Sequence, residues 1–270
     1  MEATHAVITP ELTDITTLGL IDIPAPILAR QLIRIDSQLF QKVRRQEVLV
    51  HLWCPKHKHA KTFSYNLNKY ISWFNKVGLL VSSAICECVD IKDRIALIEH
   101  FINVTKVLRK HNCYNTLYGI TSGLNHGAVN RLKHTWRMVS NRAQANLRDF
   151  EVLLSPAQNF RVYRQELGES RVPVIPVMGI VLKDHTFLNE MPKQTSDGLV
   201  NLFKLRAIKS HLDTMEVYQR GAIQYAFDDD LPFQKQLMET TVCTPDELYE
   251  KSQILEPREL RSEARSSGTS

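Results

Sequence analysis

The chain has 270 residues, 43% of them hydrophobic and 23% charged, which supplies a core for one large domain or two small ones and excludes wholesale disorder. Ten glycines and eleven prolines exclude collagen-like and low-complexity chains, and no apolar run approaches the roughly 18 residues of a membrane-spanning helix. The net charge of +5 is spread over short stretches (Lys42 to Arg45, Lys56 to Lys61, Arg258 to Arg265), which read as solvated helix faces and give no nucleic-acid stripe; weak attraction to an anionic membrane surface stays open.

In chain order, residues 1–21 form an N-terminal flank. They carry Glu2, Glu11 and Asp14 without a basic n-region, so no signal peptide is expected. Ile27 to Phe40 places Ile27, Leu28, Leu32, Ile35, Leu39 and Phe40 at helical spacing behind Pro24 and Pro26. Asn66 is the expected cap of a second helix striped with Ile71, Phe74, Val77, Val81 and Ile85. Asp93 is expected to open a third, facing Ile95, Ile98, Ile102, Thr105 and Leu108 inward. A fourth runs from about Asn115 to Leu124 and breaks at Asn125-His126-Gly127, and Arg131 to Leu154 reads as helix up to Ser155-Pro156.

From Arg171 to Lys183 the texture changes. RVPVIPVMGIVLK is rich in β-branched residues and interrupted by Pro173 and Pro176, which predicts an extended segment. Helical patterns return at Leu199 to Tyr225, at Pro232 to Leu237 and after Thr244-Pro245-Asp246. The tail, 259–270, is polar and expected to be disordered. No repeat is visible, so eight to ten helices with one extended interruption predict a single, mostly α domain over 22–258.

Chemistry-bearing clusters are sparse. Cys54, His57 and His59 lie in one short stretch, and Cys86-Glu87-Cys88 adds two thiols, but the spacings do not make two zinc-type pairs. Cys86 and Cys88 end an apolar stripe, where buried thiols are common. Five cysteines without framework spacing fit a reducing cytoplasm. Gly119, Gly123 and Gly127 recur every fourth residue, yet no Gly-Lys-Ser/Thr follows, so close helix packing is the better reading than a phosphate loop. No nucleophile elbow or zinc-protease motif occurs, and covalent chemistry has no support.

Ser122-Gly123-Leu124-Asn125, followed by Val129-Asn130-Arg131-Leu132-Lys133-His134-Thr135-Trp136, resembles the signature of the Ras guanine nucleotide exchange factor catalytic domain. Pro26 to Leu32 with Ile35-Asp36 and Leu39-Phe40 is similar to that family's opening helix, and Trp73 to Val77, Asp93-Arg94 and Phe101-Ile102 to its next motifs. Gln158 to Arg164 resembles its Asn-Tyr/Phe-x-x-Tyr-Arg element. Ile175-Pro176 through Gly179 and Leu182-Lys183-Asp184 resemble the strand-like lead into a helical hairpin. Leu199-Val200-Asn201, Lys204, Gln219 and Tyr225 are similar to the hairpin's return, and Leu255-Glu256-Pro257-Arg258 to the closing tetrapeptide. Single motifs are weak; the ordered series, covering roughly Asp22 to Arg258, is specific.

The resemblance implies a mostly α fold with a protruding helical hairpin, and a partner rather than a cofactor: a Ras-family small GTPase of Ras, Rap or Ral type, met at membranes where lipidated GTPases reside. It implies catalysis by displacement, with no resident metal and no covalent step. By position, Thr186 and Glu190 fall where the hairpin presents two intruding side chains, Thr186 toward the GTPase's Mg²⁺ site and Glu190 toward its phosphate loop. Four residues apart on a helix, they share a face. Asn125 falls on the principal polar contact to a switch segment; its other reading is a helix C-cap before Gly127. Tyr118 and Ser122 share its face, and Asn130 lies just beyond. Asn75 and Phe160 are rim or support positions of that groove, or packing. Two departures stand out: Met191-Pro192 occupies a position where the family often has Gly with a polar residue, and Leu202-Phe203 shifts the aromatic after Asn201. They motivate the alternative, a non-catalytic GTPase-binding scaffold of the same fold.

Overall fold

The computed structural model describes residues 17–53 and 60–257. The Cys54-His57-His59 cluster, Arg258 of the closing tetrapeptide, the polar tail and residues 1–16 of the flank lie outside the described residues. The helices are α1 (Thr17–Asp22), α2 (Ala25–Lys42), α3 (Arg45–Trp53), α4 (Ala60–Phe63), α5 (Tyr65–Glu87), α6 (Ile91–Lys110), α7 (Tyr114–Leu124) and α8 (Gly127–Asn130). They continue as α9 (Lys133–Met138), α10 (Asn141–Leu153), α11 (Arg161–Glu169), α12 (Met178–Glu190), α13 (Leu202–Ala222), α14 (Leu231–Glu239) and α15 (Pro245–Leu255). Among the described residues there is no strand, only isolated bridges between Cys113 and Ile175 and between Gln194 and Val200. None of these helices is long and apolar enough to cross a membrane.

The apolar stripes of α2, α5, α6 and α7 meet in one continuous core that includes Leu32, Phe40, Tyr70, Phe101 and Leu117. The expected stripes are in place: Ile98, Ile102, Thr105 and Leu108 on α6 are buried, as are Val77, Val81 and Ile85 on α5. Cys86 sits in this interior, and burial pushes its thiol up to about 12.

Helix starts depart from local reading because many are capped from far away. α5 begins at Tyr65, so Asn66 is no cap; its backbone N–H donates to the buried carboxylate of Glu47, 3.1 Å. α6 is capped by Asp90, which accepts from Lys92 N and Asp93 N, one turn before the expected Asp93. The span Arg131 to Leu154 is two helices, because Val139 ends the first in extended conformation and the Ser140 hydroxyl caps α10 by accepting from Ala143 N. The extended run stops at Val177: Met178 N donates to Asn115 Oδ1 at 3.1 Å, which starts α12 inside the β-branched stretch. Tertiary satisfaction of one N–H overrides the local preference there.

Candidate functional site

The α5–α7 contact is glycine-made. A Cβ on Gly123 would lie 2.4 Å from Gly78 O and 2.8 Å from the Val81 Cβ, and one on Gly119 would lie 3.1 Å from Val77 Cγ1. Ser82 Oγ donates to Gly123 O across the contact, 3.0 Å. Helices this close leave a shallow groove above them, lined by Phe74, Asn75, Gly78, Ser122, Gly123 and His126. Asn75 and Ser122 are exposed on its rim. Tyr118, half-buried, packs edge-on against Phe74 with centroids 5.8 Å apart.

Asn125 ends α7 and is half-buried at the end of this groove. It is the C-cap, but the capping runs through its backbone: Asn125 N donates to Thr121 O, 3.0 Å. Its carbonyl accepts from Asn130 Nδ2 at 2.9 Å, and its own side-chain amide makes no hydrogen bond among the described residues. Donor and acceptor are both left for a partner. The structure therefore brings Asn75, Tyr118, Ser122, Asn125 and Asn130 onto one face.

Thr186 and Glu190 belong to a second body, the α12–α13 hairpin. Its foot is fixed to the other end of α7. Ile175 N donates to Asn112 O and Tyr114 N to Ile175 O, both 2.9 Å. Asn115 takes Met178 N on its Oδ1 and donates from Nδ2 to Asp36 Oδ1, 3.0 Å. Asp36 also accepts from Thr116 N and Thr116 Oγ1, so it caps α7 from α2, and burial pushes its carboxyl up against the pull of those donors. One helix of 11 residues, about 16 Å long at ~1.5 Å per residue, thus carries the hairpin at its start and Asn125 at its end. The flank is held by Arg164, bidentate to Asp184 at 2.7 Å, and by Arg45, bonded to Glu216 and Asp213.

The tip is built around Lys204, 5% exposed, whose ammonium donates to Asn189 O at 2.6 Å and Met191 O at 2.8 Å. These carbonyls straddle Glu190 and end α12, where Pro192 follows. Asn201 Nδ2 closes the loop on Pro192 O, 2.9 Å. Met191-Pro192 is thus accommodated by a clamp. Thr186 and Glu190 are both exposed on α12. The Thr186 hydroxyl donates back to Leu182 O, 3.0 Å, so what the residue offers outward is its methyl. Glu190 has no partner within the chain among the described residues.

Phe160 does not line the groove. It is 8% exposed, follows Gln158 and Asn159 in a run of positive φ, and its ring carries Lys183 Nζ at 5.0 Å. It supports the side of α12. A bulky residue at φ 60° is strained backbone held by its surroundings. Sequence reading does not single out Asn115 or Gly78, and it gives Lys204 no role as a clamp. Only Gly78 leaves a local signal, as a small residue on the stripe facing Gly119 and Gly123.

Inside the hairpin His185 meets His211 edge to face, centroids 4.4 Å apart. His185 is 1% exposed, and neither its ring nitrogens nor His211 Nε2 has a partner. Burial pushes His185 down to about 4 and lowers His211 as well; Asp184 pulls both the other way, while Arg164 adds to the lowering of His211. An unfolded histidine titrates near ~6.5. Below that the unfolded chain binds more protons, so this pair's contribution to stability is flat above pH 6.5 and falls from there toward pH 4. At pH 5 the loss from His185 is about 2 kcal/mol. His185→Leu is expected to shrink the drop in melting temperature between pH 7.5 and pH 5; an unchanged drop would contradict this.

The RasGEF domain family model matches residues 27–206, from α2 into α13, a span that includes Asn75, Tyr118, Ser122, Asn125, Asn130, Phe160, Thr186 and Glu190. The chain belongs to the RasGEF domain family. It is 30% identical over 240 residues to Ras guanine nucleotide exchange factor Q of Dictyostelium discoideum, covering 89% of this chain and 18% of that protein. For factor P of the same organism the figures are 35% over 240 residues, 87% and 15%. For human Ras-specific guanine nucleotide-releasing factor 1 they are 31% over 233 residues, 86% and 18%. The chain thus spans less than a fifth of the length of these relatives. As a RasGEF domain, its all-α architecture and its α12–α13 pair agree with the resemblance read from the motifs.

Proposed function

We propose that this RasGEF domain accelerates GDP release from a Ras-family small GTPase, of Ras, Rap or Ral type, in the cytoplasm at membranes carrying the lipidated GTPase. The observation that supports this reading is the division of labour along α7. One end presents an unpartnered amide at Asn125 in a polar groove, and the other carries a rigid hairpin whose one face offers a methyl at Thr186 and a free carboxylate at Glu190.

The physical logic is linkage. A GTPase grips its nucleotide through a phosphate-cradling loop, a lysine and a Mg²⁺ bridging phosphate oxygens. A protein that binds the empty state better must weaken nucleotide binding by the same factor. In this reading the groove around Asn125, Ser122 and Tyr118 holds the switch segment. The hairpin brings Thr186 against the metal position without replacing a ligand, and Glu190 near the phosphate loop, where its charge opposes the phosphates. No bond is made or broken.

Asn125→Ala tests the groove. Losing an interfacial amide leaves its partners unsatisfied, at a cost on the order of 1–3 kcal/mol. Exchange is expected to fall about tenfold, the factor that about 1.4 kcal/mol represents, while the melting curve stays in place. A loss of stability in proportion to the loss of activity would make Asn125 a structural cap only.

A further inference from the structure

Beside the groove, α8, α9 and α15 enclose an open depression of about 980 Å³. His126, the N-cap of α8, lines both the depression and the groove, so the two adjoin at the start of α8. Its wall is basic: Arg131, Lys133, His134 and Arg137. Arg131 is fixed in place. Its Nη1 donates to Ser252 O and its Nη2 to Glu256 O, and the guanidinium lies over the Tyr249 ring at 5.9 Å. Lys133, His134 and Arg137 are exposed, and their side chains make no hydrogen bond or ion pair among the described residues.

Glu256 is the single acid among the lining residues, and its carboxylate is turned into the protein. Oε1 accepts from Thr135 N at 2.8 Å and Thr135 Oγ1 at 2.7 Å, and Oε2 accepts from His134 N at 2.9 Å. Asp246, Glu247 and Glu250 on α15 are not among the lining residues. The two free cations, Lys133 and Arg137, with the His134 imidazole between them, therefore face the opening with little internal compensation.

We infer that this depression receives acidic side chains of the substrate GTPase, and that Lys133, His134 and Arg137 act as specificity-determining residues for which GTPase docks. The inference rests on the exchange reading above. A GTPase seated on Asn125 and Asn130 covers His126, the residue that groove and depression share, and its surface then passes on to the basic wall. Exposed, flexible cations at such a rim steer encounter and select by charge more than they add affinity.

The test uses the member of a Ras, Rap and Ral panel that the wild-type chain accelerates, and the double variant Lys133→Glu/Arg137→Glu. Both substitutions are on the surface, and coincident melting curves verify the fold. At low salt kcat/KM for exchange is expected to fall about tenfold through KM, since steering changes association rates by ~10–10³. At about 0.5 M salt the two proteins are expected to converge, because screening shortens electrostatic reach to a few ångströms. The charge-keeping Lys133→Arg/Arg137→Lys is expected to behave as wild type. An unchanged kcat/KM at low salt, with wild-type exchange intact, would overturn the inference. So would intact exchange in solution combined with lost binding to phosphatidylinositol bisphosphate vesicles, which would assign the wall to lipid. Should the wild type neither accelerate nor bind any panel member, even stripped of nucleotide, the exchange reading itself falls and this inference with it.

Discussion

Glu190→Ala is expected to slow nucleotide release, measured at saturating RasGEF domain, by roughly tenfold or more, while binding to the nucleotide-free GTPase stays near wild type. The split follows from position. In the proposed reading docking depends on the groove around Asn125, at the far end of α7 from the hairpin's foot, and that groove is untouched by a change at residue 190. Glu190 is exposed and unpartnered, so its removal breaks nothing inside the chain, and Lys204 still clamps Asn189 O and Met191 O around it. Thr186→Ala is expected to act in the same direction but more weakly, since one methyl-bearing side chain is trimmed. Raising Mg²⁺ is expected to inhibit the wild type, because in the proposed reading metal and hairpin bind the GTPase antagonistically and such coupling is reciprocal. Wild-type release rates from Glu190→Ala would make the carboxylate a solvated surface acid.

Gly123→Ala is expected to be the most damaging single change to the fold. Its Cβ would stand 2.4 Å from a backbone oxygen of α5 and 2.8 Å from the Val81 Cβ, neither of which can swing aside. Separating α5 from α7 opens the core at its tightest contact and stretches the Ser82 bond to Gly123 O. Overpacking of this kind costs about 3 kcal/mol or more. For a chain of this size that is a fall of roughly 6–12 °C in melting temperature. Gly127→Ala supplies the control, since a Cβ there meets nothing within 4 Å. Equal melting temperatures for the two variants would contradict the close-packing account.

Much of this architecture is legible in the amino-acid sequence, for identifiable reasons. The i, i+4 pair Gly119 and Gly123 marks a close approach, and the apolar stripes of α5 and α6 locate the core, because helical period and burial are local properties. Helix boundaries are less legible where their caps are remote. Asp36 caps α7 at Thr116, Glu47 caps α5 at Asn66, and Asn115 starts α12 at Met178. Glu256 serves α9 in the same way at His134 and Thr135. Each donor–cap pair is separated by 19 to 122 residues, so a reading that seeks Ser, Asp or Asn beside the helix finds a wrong start or none.

At the candidate site the ordered motifs point to Asn125, Thr186 and Glu190, but not to what supports them. Lys204 reaches back across the hairpin, and His185 and His211 face each other only because α12 and α13 pair. Phe160 reads from its motif as rim or support of the groove or as packing, and the structure takes the packing alternative: the positive-φ run before α11 turns it beneath Lys183. These placements come from tertiary pairing, which periodicity does not encode.

The most direct measurement is release of fluorescent GDP analogue from purified Ras, Rap and Ral proteins on adding the wild-type RasGEF domain. Acceleration of at least one panel member, rising with domain concentration to a plateau and diminished in Glu190→Ala, is the expected result. Tight binding to a nucleotide-free panel member with no acceleration of release from any of them would contradict the exchange reading and leave the domain a scaffold that docks GTPases without opening them.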